Sequence, residues 1–203
     1  GGTWDYATAT DVDYEGWLIR AVASYVWNKF NFGIGFWYST GDDTTTTDYE
    51  GYALPAGFSE APAVNSDTLI LMGGWYGTGG MSTGPGFVYP LGRYGSLSQT
   101  GGQFGGFWYI RGFADFQVLD WLKLGAQIAY IGDTTENGDT FGTASGDNDD
   151  IGWEFDVGAS IKVYKNLTYN IAFGYLIAGD ALDQAGQSPN DPWALITALA
   201  YTF

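Results

Sequence analysis

From Trp17 to Trp27 the odd positions read Trp17, Ile19, Ala21, Ala23, Tyr25 and Trp27, while the even ones include Arg20 and Ser24. Such a period of two marks a strand with one apolar face. After Asn28-Lys29 the alternation resumes as Phe30, Phe32, Ile34, Phe36 and Tyr38 against Asn31, Gly33, Gly35, Trp37 and Ser39, which predicts a tight hairpin. The same design recurs at 108 to 131, turning at Leu119-Asp120-Trp121, and at 151 to 177, turning around Lys165-Asn166. The ending WALITALAYTF sets Trp193, Leu195, Thr197, Leu199, Tyr201 and Phe203 against mostly small residues. A shorter segment, Thr3 to Thr10 with Trp4 and Tyr6 on one face, supplies a first strand. The pattern therefore predicts an all-β chain of about eight antiparallel strands, at 3–10, 15–27, 30–40, 106–118, 122–132, 151–163, 167–178 and 193–203.

Between the hairpins lie long connections, 41–105, 132–150 and 178–192, rich in Gly, Asp, Thr, Ser and Pro. Of the 23 acidic residues, 18 fall in these connections and at 11–15 just before the first hairpin's apolar face begins at Trp17, whereas Lys29 and Lys165 sit in the tight turns. Segment 41–105, about 65 residues long, exceeds what a structureless loop usually reaches. It is expected to lie outside or fold into a lumen; alternatively 67–76 and 86–95 add two strands, for ten in all. No linker or change of composition divides residues 1–203, so a single domain is expected. The opening GGTWDYATAT has neither a signal-peptide pattern nor an initiator Met, and the sequence reads as a mature form or a fragment.

Composition narrows the chemistry. The formal net charge of −16 argues against nucleic acid, whose phosphates are bound by Lys and Arg. With Cys 0 and His 0, Ser-His-Asp and Cys-His triads, disulfides and ordinary zinc sites are excluded, and no enzyme or cofactor is expected. Asp147, Asp149 and Asp150, with Glu154, are weak Ca²⁺ candidates; their spacing is not that of an EF-hand, and a solvated acidic loop is the preferred reading.

An amphipathic sheet can belong to a soluble sandwich or to a membrane barrel. No apolar run reaches the roughly 18 to 20 residues of a membrane helix, so any crossing must use strands. Charged residues make up only 15% of the chain, and the minor faces carry Gly, Ala, Ser and Asn, too small to solvate an exterior. Trp17 and Trp27 stand ten residues apart, or roughly 33 Å, which a tilt near 40° reduces to about 25 Å, the height of a barrel's apolar band. Trp108, Trp153 and Trp193 begin descending strands, and Trp121 and Tyr201 lie at the opposite edge, as interface aromatics would.

These alternating strands, short turns on one side, long acidic loops on the other and the ending Leu199-Ala200-Tyr201-Thr202-Phe203 resemble a Gram-negative outer-membrane β-barrel. General porins are the most similar class, without a match to one subfamily. The resemblance implies a bacterial outer-membrane location, with outer-membrane lipid, lipopolysaccharide and the barrel-assembly machinery as partners. It also makes Leu199, Tyr201 and Phe203 an assembly signal, admits a homotrimer, and implies a water-filled channel for ions and small hydrophilic solutes. The chain would then be a whole small barrel or the C-terminal part of a wider one. The acidic loops lean the channel toward cations. The alternative is a small closed barrel with a packed lumen, structural or adhesive, whose loops bind a partner. Inward-facing Arg20, Trp37, Arg111, Asp115, Lys123, Glu154, Asp156 and Lys162 are the pore-lining candidates, either a constriction with basic and acidic walls or lumenal salt bridges closing a narrow barrel.

Overall fold

The computed structural model describes residues 15–43, 45, 46, 48, 50, 51, 106–137, 148–183, 187–201 and 203. They form one antiparallel sheet of seven strands, each paired with its neighbour in sequence: β1 (Leu18–Trp27), β2 (Phe30–Ser39), β3 (Phe107–Leu119), β4 (Leu122–Asp133), β5 (Asp150–Tyr164), β6 (Leu167–Ala178) and β7 (Trp193–Tyr201). A short 3-10 turn, Asp180–Leu182, follows β6. There is no α-helix among the described residues. The expected strand at 3–10 and the two alternatives at 67–76 and 86–95 lie outside the described residues, and among the described residues the sheet is open, with β1 and β7 at its edges.

The three hairpins turn where the alternation breaks, at Asn28-Lys29, Asp120-Trp121 and Lys165-Asn166. Asn28 adopts φ 55°, a left-handed conformation that Asn tolerates better than most residues. Ladder bonding continues into this turn, where the Gln117 amide donates to the Lys29 carbonyl at 2.9 Å.

Register is regular except at three irregularities, Gln117/Leu119, Ile131/Gly132 and Lys162/Tyr164. At the second, Ile131 pairs with Gly152 and Gly132 with Asp150, so Ile151 is the extra residue. The bulge depends on Gly152, whose φ of 133° suits glycine alone. A Cβ there would run into the Ile177 carbonyl. As a result Ile151 is fully buried beside Gly152.

The two faces differ sharply. One carries Ile19, Phe32, Ile34, Phe36, Ile110, Leu124, Ile128, Phe155, Val157, Phe173, Leu195 and Leu199, all exposed, Ile34 by 62% and Leu199 by 65%. The other buries Trp37, Tyr109, Arg111, Asp115, Gln127, Glu154, Asp156 and Asn170. In water each exposed apolar side chain forgoes roughly 1.5 to 3 kcal/mol. Across this face the loss exceeds the whole net stability of an ordinary domain, about 5 to 15 kcal/mol.

Candidate functional site

On the buried face the pairing sets inward residues in rows running across the strands. Arg20 of β1 faces Trp37, which faces Tyr109, then Ile131 and Gly152. In the next row Gly35 faces Arg111, then Ala129, Glu154 and Leu176. The row below runs Gly33, Phe113, Gln127, Asp156, Gly174 and Ala194. A further row holds Asn31, Asp115, Gly125, Gly158 and Ala172.

Arg20, Arg111 and Asp156 each stand seven residues from the turn-side residues Trp27, Val118 and Val163, yet they fall on three successive rows. Stepping two strands, from β1 to β3 or from β3 to β5, shifts this level by two residues. One residue per strand, at about 3.3 Å against about 4.8 Å between strands, corresponds to a slope of roughly 35°. Residues equidistant from the turns are thereby level along an axis inclined to the strands.

The centre of the face is a hydrogen-bonded ladder over three strands. Arg111 Nη1 donates to Gln127 Oε1 at 2.9 Å, and Gln127 Nε2 donates to Asp156 Oδ2 at 2.6 Å. Arg111, Glu154 and Asp156 are each 1% exposed. The amide of Gln127 joins cation to anion, with both of its dipole ends used, and this fixes its orientation. Arg111 also lies over the Phe113 ring, 4.9 Å from its centroid, a cation-π geometry. Gly35 makes room for it, since a Cβ there would come within 2.7 Å of Arg111 Nε.

Toward the turn side the groups are less enclosed. Lys123 Nζ lies 4.0 Å from Asp115 Oδ1, Asn31 Nδ2 donates to Asp115 Oδ2 at 3.4 Å, and Ser160 Oγ donates to Asn170 Oδ1 at 2.6 Å. Lys162 is exposed and stands apart, opposite Thr168. The structure thus brings Arg111, Asp115, Lys123, Glu154 and Asp156 onto one polar surface across β3, β4 and β5. Gln127, Asn31, Ser160 and Asn170 belong to it as well, although they carry no charge to mark them in the sequence. Their parity was the available signal.

At the loop side of the exposed face, aromatics recur on every strand. Descending strands carry Trp17 (just before β1), Trp108, Trp153 and Trp193; ascending strands carry Tyr38, Tyr130 and Tyr175. Trp17 stacks on Tyr38 at 4.9 Å, Trp108 meets Tyr130 edge-on at 5.6 Å, and Tyr130 meets Trp153 at 4.9 Å. The three tyrosines complete a band of which sequence reasoning had singled out only the tryptophans. At the turn side Trp27, Trp121, Tyr201 and Phe203 are exposed, and Phe30 stacks on Phe116 at 4.3 Å.

Carboxylates tie down the loop-side backbone. Asp43 Oδ1 accepts from the Thr45 amide at 2.9 Å, the Thr45 hydroxyl at 2.7 Å and Asn137 Nδ2 at 2.9 Å, joining two connections. These bonds hold its pKa below the ordinary carboxylate value. Asp191 accepts from the Tyr175 hydroxyl at 2.6 Å and the Ala178 amide at 3.0 Å, and the tyrosine bond, followed by the amide bond, lowers its pKa. Among the described residues no group of three acidic side chains is placed to hold a metal ion. Asp149 and Asp150 are described; Asp147 lies outside the described residues. Compared with models of protein families and with curated proteins, the chain matches none.

Proposed function

We propose that this chain forms the wall of an outer-membrane β-barrel of the porin kind, its exposed apolar face against lipid and its polar face lining a path for ions and small hydrophilic solutes. One observation carries the reading: the faces are inverted relative to a soluble protein. Apolar side chains fill an exposed belt bounded on the loop side by Trp and Tyr, while Arg111, Glu154 and Asp156 are enclosed on the other face. Soluble monomers rarely leave apolar patches of this extent against water, and an amphipathic ring at each interface suits a bilayer.

A non-conducting barrel with a packed lumen is the second reading. It is favoured by the complete burial of Trp37 and Tyr109 in the row on the loop side of Arg111. The two share an architecture and differ in conduction. The full chain, refolded with liposomes and assayed for heat-dependent electrophoretic mobility and then in planar bilayers, tests both. Insertion with discrete current steps supports the channel, insertion without current supports the packed barrel, and failure to insert removes both.

A further inference from the structure

On the loop side of the Arg111–Gln127–Asp156 ladder the buried face becomes mainly apolar, with Ser39 and Asp133 the buried polar groups of its outermost row. Trp37, Phe107, Tyr109, Ala129, Ile131, Ile151, Leu176, Ala181 and Leu182 form one apolar cluster, with Trp37 nearly parallel to Phe107 at 5.8 Å and to Tyr109 at 6.3 Å. Seven of these nine residues belong to strands and are held in place by the ladder bonds of the sheet. Ala181 and Leu182 are not. They come from the 3-10 turn, which directs them into the cluster while Asp180 at its start stays exposed. Backbone bonds join the turn to β5 and to itself: Gly179 N to Ile151 O at 2.9 Å, Leu182 N to Gly179 O at 3.2 Å and Asp183 N to Asp180 O at 3.0 Å. Extended residues flank it, Gly179 (φ −91°, ψ 179°) and Asp183 (φ −60°, ψ 139°), and no ladder pairing includes residues 180–182.

We infer that this apolar layer is a gate across the loop-side end of the lumen, with the Asp180–Leu182 turn as its movable part. The inference rests on the membrane-barrel reading above. An apolar constriction excludes ions by dewetting, and it opens when the side chains that complete it withdraw or become charged. On this inference Ala181 and Leu182 complete the apolar layer that lies between the loop side and the charged ladder; with the turn swung outward, ions reach Arg111 and Glu154.

The absence of cysteine from the chain lets a single introduced thiol report on one position. Ala181→Cys protein is inserted into planar bilayers, and a positively charged methanethiosulfonate reagent is then added to the loop side. The gate predicts brief, rare openings at first and at least a tenfold rise in open time as the thiol is modified, since the charge cannot return to the apolar layer. Leu182→Asp, inserted without reagent, should show the same raised open time. Protein that inserts, becomes modified and stays silent overturns the gate in favour of a packed lumen, and so does a thiol that never reacts. An unmodified protein already fully open, unchanged by either alteration, overturns it from the other side. Failure of the unaltered chain to insert sinks the membrane reading itself, and the gate falls with it.

Discussion

Gly152 shows how much can hang on one backbone angle. Its φ of 133° allows the bulge that turns Ile151 into the apolar layer, and a Cβ would collide with the Ile177 carbonyl. Gly152→Ala is expected to cost about 1 to 3 kcal/mol, measured as a lower urea midpoint for unfolding from lipid. Gly35→Ala should be milder, because the atom it meets is the movable Arg111 side chain. Its effect belongs to the ladder: displacing the guanidinium should weaken the bond to Gln127 and alter ion selectivity. Arg20→Ala combined with Arg111→Ala removes two positive groups from the polar face and should shift the reversal potential toward stronger cation preference. An unchanged reversal potential would count against a lumenal role for both. Little of this was legible beforehand, since the sequence marks Gly152 only as one glycine among 32.

Strands and their connections obey different chemistry. Alternation located all seven described strands because a sheet with one apolar face must repeat every second residue, and the turns followed from where the period broke. The ends were less visible: β4 continues to Asp133 and β5 begins at Asp150, positions whose acidic side chains suggested loop. Bulges at Ile131/Gly132 and Lys162/Tyr164 also left no trace in the pattern. In the connections, Asp43 and Asp191 act as backbone anchors with lowered pKa values. A carboxylate whose folded pKa lies below its unfolded value, about 3.9, contributes its full stabilisation above that value and loses it as pH falls through the folded pKa. Protection of the Ala178 amide from hydrogen exchange should therefore hold from pH 8 down to about 5 and decline only in stronger acid. Asp191→Asn should weaken that protection wherever Asp191 is ionised and converge with the unaltered chain in strong acid, where the carboxyl is protonated.

For the whole molecule, the inversion of the two faces outweighs any single contact. The described sheet ends at β1 and β7 without closing, and the exposed side chains of Trp193, Leu195, Leu199, Tyr201 and Phe203 continue the apolar belt to the last residue. If the barrel reading holds, deleting Phe203 should reduce the heat-resistant, membrane-inserted fraction severalfold while leaving synthesis unchanged. Normal insertion of the shortened chain would exclude an assembly role for Phe203. Replacing Tyr38, Tyr130 and Tyr175 together by Ala should loosen the loop-side anchoring, read as a change in the depth of quenching of Trp17 and Trp153 by lipid-borne quenchers.

The chain's own order of residues determined the strands, the hairpins and the composition of each face, because those follow from a period of two and from local turn chemistry. It also supplied the candidates Arg111, Asp115, Lys123, Glu154 and Asp156, since charges on an otherwise small-residue face stand out. Only the tertiary structure decided which of them meet. Register is set by inter-strand pairing, and it places Gln127 directly opposite Asp156 on β5 and one row from Arg111 on β3, within reach of both. It likewise decided that Ala181 and Leu182 join Trp37 and Tyr109, residues far apart in sequence that a folded sheet alone could bring together.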